Sequence, residues 1–392
     1  MAAWVFWSAV LLAGYTYLLY PLLLPFLARL FPSQSLPDAR ERAETFPSVA
    51  CIIAAFNEEQ HIAARIDNVL TQTYDPAKLM LYVGSDGSRD KTASLILERK
   101  CDRVQALIFD KNRGKATVLN DLVAASSEPI LVFSDANTMF EPDAVARLVA
   151  RFEEPDVGAV CGELKLLDSK GSNRDSVYWR IEQSLKRNEA ELGGLLGANG
   201  AIYAVRRELY RPIPADTIID DFCIAMNVAA SGWRLVYEPK AVAVEDTPDE
   251  ISEEYHRRVR IGIGNYQTFF RHPEYLLRTN IATCFAYVSH KVLRWFTPHL
   301  MLAALAASAV LSLESRFYAG ILLLQLAVYG VAAVVWRFNL QRALPRLPAM
   351  AFFLLTLNWA FLVAFVRFIL GQYSGSWRPT VRQSMNSGST ST

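Results

Sequence analysis

Two kinds of hydrophobic pattern divide the chain. Between Ser48 and Asp135, short runs that are apolar throughout, such as "SVACIIAAF" and "PILVFSD", alternate with segments whose apolar residues recur at helical spacing. Strands that are apolar on both faces are typical of a parallel sheet covered by helices on both sides. The pattern therefore predicts an α/β domain with a mostly parallel sheet.

Long uncharged runs form the second pattern and predict membrane-spanning helices. Ala3–Ala28, Phe317–Trp336 and Leu347–Val366 carry no charged residue. At about 1.5 Å per helical residue, each is long enough to cross a bilayer. Thr297–Leu313 is also uncharged but shorter, and it is the fourth candidate. We therefore expect a membrane protein with one anchor before the α/β domain and further spans after it.

The first apolar run has two readings, a removable signal peptide or a permanent anchor. No basic residue precedes the run, no small-residue cleavage site follows it, and it is longer than the apolar core of a signal peptide. These features favour the anchor. Arg29, Arg40 and Arg42 follow it closely, so the positive-inside rule predicts that the α/β domain is cytoplasmic.

The segment "ATCFAYVSHKVLRWF" mixes apolar residues with His290, Lys291 and Arg294, which predicts an interfacial amphipathic helix rather than a span. Together the patterns predict four segments: a transmembrane anchor over 1–31, the α/β domain over 47–273, the interfacial helix and C-terminal transmembrane helices over 274–372, and a polar tail over 373–392.

Charge and cysteine content exclude some partners. The formal net charge of +1 gives no indication of nucleic-acid binding. The five cysteines are scattered without paired spacing, which indicates neither a zinc site nor a disulfide framework and fits a reducing compartment.

Polar residues follow several predicted strands, where ligands bind in parallel sheets. Asp86 ends the second strand and can accept hydrogen bonds from a base or sugar, although Asp-Gly is equally common in plain turns. Lys115 begins a helix, where a cation and free N–H groups favour phosphate. Taken alone, Lys115 is better explained as an exposed lysine on a solvated helix.

The stretch "FSDANTMF" places Asp135 and Asn137 two residues apart after a buried strand. Side chains two apart on an extended segment point the same way, and Mg²⁺ or Mn²⁺ accepts carboxylate and carbonyl oxygen. The pair therefore predicts a divalent-cation site whose other ligands are phosphate oxygens. The competing reading is an Asx turn.

Two later motifs contain a pair of acidic residues and a cluster of arginines. Asp220 and Asp221 are adjacent, so each raises the pKa of the other and suits a general base, or one of them caps the helix that follows. Arg257, Arg258 and Arg260 precede the membrane region, where arginine can bind phosphate oxygens or anchor the chain at the bilayer surface.

The order of these motifs resembles the membrane-embedded family-2 glycosyltransferases, the group that includes chitin-oligosaccharide, hyaluronan, cellulose and poly-N-acetylglucosamine synthases. The resemblance covers Val49–Gln267 and extends loosely to "SWRPTVR" at Ser376. It implies a GT-A fold, a Rossmann-like mostly parallel sheet, in a cytosolic domain attached to transmembrane helices. It also implies a nucleotide-sugar donor such as a UDP-sugar, a lipid-linked or glycan acceptor, Mg²⁺ or Mn²⁺, and a place in the bacterial inner membrane among its lipids.

The resemblance assigns roles to the motif residues. "AAFNEE" resembles the opening nucleotide strand and makes Glu58 a nucleotide contact, together with Asp86 and Lys115. "SDAN" resembles the family's Asp-x-Asp element, with Asp135 contacting both metal and nucleotide and Asn137 in place of the second acid. "IIDD" resembles Thr-Glu-Asp, which makes Asp221 the catalytic base beside Asp220.

The basic motif departs from the family pattern. "RRVRI" resembles Gln-x-x-Arg-Trp, with Arg260 on the diphosphate, but Arg257 stands in place of the glutamine and Ile261 in place of the tryptophan. Arg257 and Arg258 are therefore assigned to the acceptor side. Because the tryptophan element accompanies chain extension in relatives, its loss favours single or limited transfer over processive synthesis.

The expected function is an inverting, metal-dependent membrane hexosyltransferase in exopolysaccharide or cell-envelope synthesis. A processive synthase that also translocates its product is the alternative. A transporter is disfavoured because the candidate spans lack paired acids. A catalytically inactive nucleotide-binding scaffold is disfavoured because both Asp135 and Asp221 are present.

Overall fold

The computed structural model describes residues 1–32, 46–167, 177–246, 251–340 and 344–373. The chain forms two compact units, and each is described by itself. One unit contains Met1–Leu23, Glu254–Arg271 and Tyr287–Tyr373, and the other contains Leu24–Glu253 and His272–Ala286. The predicted arginines Arg40 and Arg42, the "SWRPTVR" element and nearly all of the polar tail lie outside the described residues.

Within the described residues, eight strands form one sheet. They are β1 (Val49–Ala55), β2 (Leu79–Asp86), β3 (Val104–Phe109), β4 (Ile130–Asp135), β5 (Met139–Phe140), β6 (Val157–Leu167), β7 (Tyr203–Arg206) and β8 (Arg234–Asp246).

The α-helices are α1 (Ala2–Gly14), α2 (Tyr20–Leu30), α3 (Ile62–Leu70), α4 (Thr92–Glu98), α5 (Lys115–Ala125), α6 (Ala144–Ala150), α7 (Val177–Glu191), α8 (Asp220–Ala230), α9 (Ile251–Arg271), α10 (Glu274–Leu277), α11 (Ile281–Ala286), α12 (Leu293–Leu311), α13 (Arg316–Arg337) and α14 (Arg346–Ile369). Two π-helical segments, Tyr15–Leu19 and Tyr287–Val292, continue helices without a break.

The sheet has a parallel half and a mixed half. The strand order is β3-β2-β1-β4-β7-β6-β8-β5. The first four strands pair in parallel, β7 runs antiparallel between β4 and β6, and β8 pairs in parallel with β6 and antiparallel with β5. The chain switches direction across the sheet at β1, and in such sheets ligands bind beyond the strand ends at this switch point.

Both faces of the central strand β1 are covered, as the unbroken apolar pattern predicts. Cys51 and Ile53 belong to one core cluster, which includes Ile62 and Ile66 of α3. Ile52 belongs to a second cluster, which includes residues of α5 and α8. Because successive strand residues point to opposite faces, a strand covered on both sides is apolar at every position.

The structure differs from the sequence prediction at β8, which is one strand rather than two. The sequence predicts two short strands over "RLVYEPKAVAVED", whereas the structure has one strand with an irregularity. Gly162 on β6 pairs with Glu238, and the next residue of β6, Glu163, pairs with Val242. The extra residues of β8 therefore form a bulge that includes Pro239, which has no N–H to donate.

Three helices in the described part of the chain are long and apolar enough to cross a membrane: Ala2–Leu30, Arg316–Arg337 and Leu347–Ile369. They match three of the predicted runs. The fourth run, Thr297–Leu313, falls mostly within α12, which is not among these candidates and also contains Arg294 and His299.

Hydrogen bonds connect the two π-helical segments within the unit of apolar helices. The hydroxyls of Tyr15 and Ser289 lie 2.8 Å apart, and the Thr16 hydroxyl donates to the Ser289 carbonyl at 2.6 Å. These contacts join the two π-helical segments. His290 and Arg294, expected at a membrane surface, are 3% and 8% exposed. Burial in the protein therefore replaces the surface exposure that the sequence suggests.

Candidate active site

The loops after β1 and β2 are tied together at the carboxyl edge of the sheet. The Asn57 backbone N–H donates to the Ser88 hydroxyl at 3.1 Å, and the Arg89 N–H donates to Asn57 Oδ1 at 2.8 Å. The Glu58 N–H donates to the Thr92 hydroxyl at 2.8 Å. Glu58 is therefore held beside the β2 loop, at the edge where the sequence places the nucleotide.

Asp86 is fully buried and holds the loop that leads to α5. Its Oδ1 accepts from the Arg113 N–H at 2.7 Å, and its Oδ2 accepts from the Gly114 N–H at 2.9 Å. Gly87 has φ +66°, and a Cβ there would lie 2.5 Å from the Asn112 nitrogen. The β2 end is thus packed against the loop that positions Lys115. A nucleotide contact by Asp86 stays a prediction beside this structural role.

Lys115 bridges two carboxylates from different parts of the chain. Its Nζ lies 2.8 Å from Oδ1 of Asp135 and 3.1 Å from Oδ2 of Asp220. Burial alone lowers the pKa of Lys115, but attraction to Asp135 and Asp220 outweighs burial and leaves the pKa above its usual value. Lys115 therefore stays protonated and links the end of β4 to the start of α8.

Asp221 is the base candidate beside this ion pair. Its Oδ2 accepts from the Gly200 N–H at 2.7 Å, and its Oδ1 accepts from the Phe222 N–H at 2.8 Å. Burial and the neighbouring charge of Asp220 raise the pKa of Asp221 to about 6, while Lys115 opposes the rise. The N-cap of α8 is Ile219, so neither acid is the capping residue that the alternative reading proposes.

Gly200 connects the metal and base candidates. A Cβ at Gly200 would lie 3.3 Å from Oδ2 of Asp221 and 3.4 Å from Oδ2 of Asp135. The two carboxylate oxygens are therefore no farther apart than the sum of these distances. The sequence pattern did not single out Gly200, although "GANGAIY" is a recognisable glycine-rich turn before β7.

Asn137 is held by an acid that the sequence reading did not include. Its Nδ2 donates to Oε1 of Glu245 at 3.1 Å. Glu245 lies near the end of β8 and is 8% exposed. An acid at a strand end was the signal that identified Asp86 and Asp135, and the same signal could have identified Glu245.

The segment after Asn137 is fixed from behind by α3. The Phe140 N–H donates to Asn68 Oδ1 at 2.8 Å, and Asn68 Nδ2 donates to the Phe140 carbonyl at 2.9 Å. The buried guanidinium of Arg65 lies 4.0 Å from the centre of the Phe140 ring. The chain from Asp135 to Phe140 is therefore anchored at both ends.

Aromatic side chains support the carboxylates from the core side. The rings of Phe133 and Tyr203 stack with centroids 4.8 Å apart, and Tyr210 stacks on Phe133 at 5.8 Å. The buried Tyr203 has its pKa raised by burial and by Asp220 and Asp221. The stacked rings are therefore close enough to Asp220 and Asp221 for the two acids to affect the buried Tyr203.

The three predicted arginines lie on α9, in the compact unit of the apolar helices. Arg257 and Arg260 are exposed, and the guanidinium of Arg258 lies 4.4 Å from the centre of the Phe353 ring. Phosphate binding by Arg260 and an acceptor role for Arg257 and Arg258 stay predictions. Of the predicted site residues, the structure thus brings together Lys115, Asp135, Asp220 and Asp221. Asn137 lies in the turn that follows Asp135.

Within the described residues, no group of three or more histidine, cysteine, aspartate or glutamate side chains is arranged to hold a metal ion. The sequence reading assumes an extended segment here, but the chain turns at Ala136 and Asn137, and the Thr138 N–H donates to the Asp135 carbonyl at 3.4 Å. Asp135 and Asn137 nevertheless carry oxygen atoms of the kind that Mg²⁺ and Mn²⁺ prefer. Two protein ligands fit a cation that takes its remaining ligands from a bound diphosphate and water, as Mg²⁺ does at substrate phosphates.

A solved structure and several curated sequences are similar to this chain. The mannosyltransferase PcManGT from Pyrobaculum calidifontis, in complex with GDP-Man and Mn²⁺, matches with a TM-score of 0.71 at 22% identity, covering 94% of this chain and 99% of that chain. This match confirms the predicted GT-A fold with added helices.

Poly-beta-1,6-N-acetyl-D-glucosamine synthases of Staphylococcus aureus (strain COL) and Staphylococcus epidermidis are 25% identical over 231 residues. The match covers 57% of this chain and 56% of the relatives' length. The family model described as "Glycosyl transferase family 2" matches residues 50–213. Residues 50–213 of this chain are therefore similar to glycosyl transferase family 2.

Proposed function

We propose that the protein is an inverting membrane glycosyltransferase that moves a sugar from a nucleotide-sugar to a lipid-linked or polysaccharide acceptor in exopolysaccharide or cell-envelope synthesis. The convergence of Asp135 and Asp221 on Gly200, with Lys115 bound to Asp135 and Asp220, carries this proposal. This convergence supports the proposal because the reaction needs an acid on the diphosphate side, a cation and a base close together.

Asp221 is the proposed base. The acceptor hydroxyl oxygen forms a bond to the anomeric carbon, the bond from that carbon to the diphosphate oxygen breaks, and the hydroxyl proton passes to Asp221. One such displacement inverts the anomeric configuration and needs no covalent enzyme intermediate. A pKa of about 6 leaves Asp221 mostly ionised at pH 7 and more basic than an ordinary aspartate.

Asp135, Asn137 and Lys115 form the proposed diphosphate side of the site. A divalent cation held by Asp135 and Asn137 would neutralise negative charge on the departing diphosphate. Lys115 is already protonated between Asp135 and Asp220, so it can shift towards a phosphate oxygen without gaining a proton. Glu58 and Asp86 are proposed nucleotide contacts because they end or follow neighbouring parallel strands at the same edge.

A UDP-sugar is the proposed donor. The curated relatives are named for a polymer of N-acetylglucosamine, whereas the structural neighbour was solved with GDP-Man. Arg260 is proposed on the diphosphate and Arg257 and Arg258 on the acceptor side, in contact with membrane lipids or a lipid-linked acceptor. Mg²⁺ and Mn²⁺ are both proposed as the cation because their ligand preferences overlap.

We further propose a multi-pass protein of a bacterial inner membrane with its α/β domain in the cytoplasm. Three apolar helices in the described residues support this arrangement, as does the basic residue Arg29 in the last turn of the first of them.

Sugar-nucleotide turnover in Asp221→Asn tests the base assignment. General-base loss predicts a fall in turnover of about 10²- to 10⁴-fold with donor binding retained. Asp156→Asn is the matched control, because its partly exposed carboxylate pairs with Arg234 away from the site. Equal turnover in Asp221→Asn and wild type would remove the base assignment and favour an inactive nucleotide-binding scaffold.

The same assay with UDP-sugars and GDP-sugars in parallel tests the donor class. Preference for GDP-sugars would contradict the UDP proposal and leave the transfer chemistry intact.

A processive synthase that translocates its product is the second candidate, favoured by the names of the curated relatives. Separation of labelled products by size distinguishes the two. One or a few added sugars support limited transfer, and a polymer ladder supports the processive synthase.

A further inference from the structure

The contact between Asn137 and Glu245 joins two residues 108 positions apart in the sequence. β5 and β8 pair antiparallel with Met139 opposite Val244, and this register brings the residues that precede Met139 alongside the residues that follow Val244. The Asn137 amide nitrogen donates to the largely buried Glu245 carboxylate at 3.1 Å. The backbone of the sheet therefore positions this contact.

Hydrogen-bonding chemistry fixes how Asn137 is oriented. An asparagine amide has a donating NH₂ end and an accepting oxygen, whereas an ionised carboxylate only accepts. Donation to Glu245 therefore turns the NH₂ towards β8 and leaves Oδ1 on the other side of the amide. Oδ1 is the atom of Asn137 that a hard divalent cation accepts as a ligand.

This contact also brings a negative charge to the neutral Asn137 side chain. Asn137 contributes no negative charge, and Glu245 brings one into hydrogen-bond contact with it. An aspartate at residue 137 would instead place two carboxylates at this distance, and one ionised carboxylate cannot donate a hydrogen bond to another. Asn137 and Glu245 are thus a matched pair, in which one residue supplies the ligand atom and the other supplies the charge.

We propose that Glu245 is a positioning residue of the divalent-cation site, which orients Asn137 and supplies a negative charge through its hydrogen bond to Asn137. This inference rests on the proposed cation site at Asp135 and Asn137. It predicts that moving the acid from residue 245 to residue 137 preserves cation binding, whereas removing it weakens binding.

The test measures Mn²⁺ affinity directly, from the electron paramagnetic resonance signal of free Mn²⁺, with no turnover required. The full chain in detergent is titrated in the presence of UDP or GDP, whichever raises its unfolding temperature more. Glu245→Gln keeps an oxygen that accepts from Asn137 but removes the charge, and outer residues of metal sites typically contribute about tenfold to hundredfold in affinity. We expect a loss in that range.

The charge-swapped double variant Asn137→Asp with Glu245→Gln is the decisive arm. It carries one acid and one amide at the same two positions, so we expect Mn²⁺ affinity within about threefold of wild type. Asn137→Ala with Glu245→Gln is the matched control and stays weak. If the charge-swapped variant binds Mn²⁺ no better than the single variant Glu245→Gln, the proposal is overturned.

Asp135→Asn separates this inference from the function on which it rests. If Asp135→Asn weakens Mn²⁺ binding and Glu245→Gln does not, the role of Glu245 is overturned and the cation site stands. If neither variant weakens binding, the cation site itself is overturned, and the inference with it. If Glu245→Gln does not fold, the charge-swapped variant decides alone: wild-type affinity supports the proposal and weak binding overturns it.

Discussion

Asp86 and Asp221 each accept two backbone N–H hydrogen bonds, but they lie in different halves of the fold. Asp86 ends β2 in the parallel half and binds the Arg113 and Gly114 amides. Asp221 begins α8, between two strands of the mixed half, and binds the Gly200 and Phe222 amides. The two acids accept the same number of amide hydrogen bonds. Their different roles, proton transfer for Asp221 and loop positioning for Asp86, therefore depend on their other neighbours.

Like charges surround Asp221. Asp220 is adjacent in sequence, Asp135 approaches the same glycine, and burial adds to their effect, so the pKa of Asp221 rises to about 6 despite two amide donors and Lys115. Asp86 instead holds the loop that leads to α5, and each of its two oxygens accepts from one amide of that loop. A carboxylate in the first setting suits proton transfer, and one in the second setting suits loop positioning.

Gly200→Ala should produce the largest effect on the Asp221 side. Its methyl group would lie 3.3 Å from Asp221 and 3.4 Å from Asp135, so at least one carboxylate must move. A misplacement of about 1 Å costs roughly a hundredfold in turnover, and the shift of a few tenths of an ångström required here should cost less, about tenfold. Steady-state turnover and thermal unfolding in detergent measure the outcome. Gly330→Ala, with open space around it, is the control, and full activity of Gly200→Ala would contradict a shared cleft.

Asp86→Asn should act on stability. The amide NH₂ would face the N–H of Arg113 or Gly114, leaving one buried donor unsatisfied at a cost of about 1–3 kcal/mol in the free energy of unfolding. Thermal unfolding in detergent measures this loss, with the partly exposed Asp156→Asn as the control. An Asp86→Asn variant with the stability of wild type would show that the loop does not depend on this acid.

The pH dependence of turnover sharpens the charge argument for Asp221. A base with its pKa at about 6 must be deprotonated to act, so turnover should rise between pH 5 and 7 and then level off. Asp220→Asn removes a neighbouring negative charge and should move the rise to lower pH. Lys115→Met removes a positive charge and should move it to higher pH. Shifts of both variants in one direction would rule out this electrostatic account.

Asn57 tests the loops of the parallel half and should give the smallest effect. Its φ of 55° is in the region that glycine adopts without strain, and its Oδ1 accepts from the Arg89 N–H. Asn57→Gly keeps the backbone and loses only this partly exposed contact, so we expect less than about 1 kcal/mol. Asn57→Ala adds backbone strain of about 1 kcal/mol or more. Equal unfolding temperatures for the two variants would show that the backbone conformation is not strained.

The unbroken apolar pattern of β1 determined that this strand is covered on both faces, and alternate residues do enter two separate core clusters. Three uncharged runs determined three candidate membrane helices in the described residues. Asp86 and Asp135 were recognised as strand-end acids. Each of these features depends on neighbouring residues, because strand alternation, helix length and turn chemistry are local properties of the chain.

Only the tertiary structure decided which acids meet. Strand register brings Glu245 to Asn137, the turn before β7 brings Gly200 between Asp135 and Asp221, and Lys115 reaches Asp220 from another helix. The two-residue strand β5 has no local signal of its own, and Pro239 marks the bulge in β8 without fixing which residues pair around it. Such contacts join residues that are tens to about a hundred positions apart. The packing of the whole sheet sets the distances between them, and no short stretch of sequence contains that information.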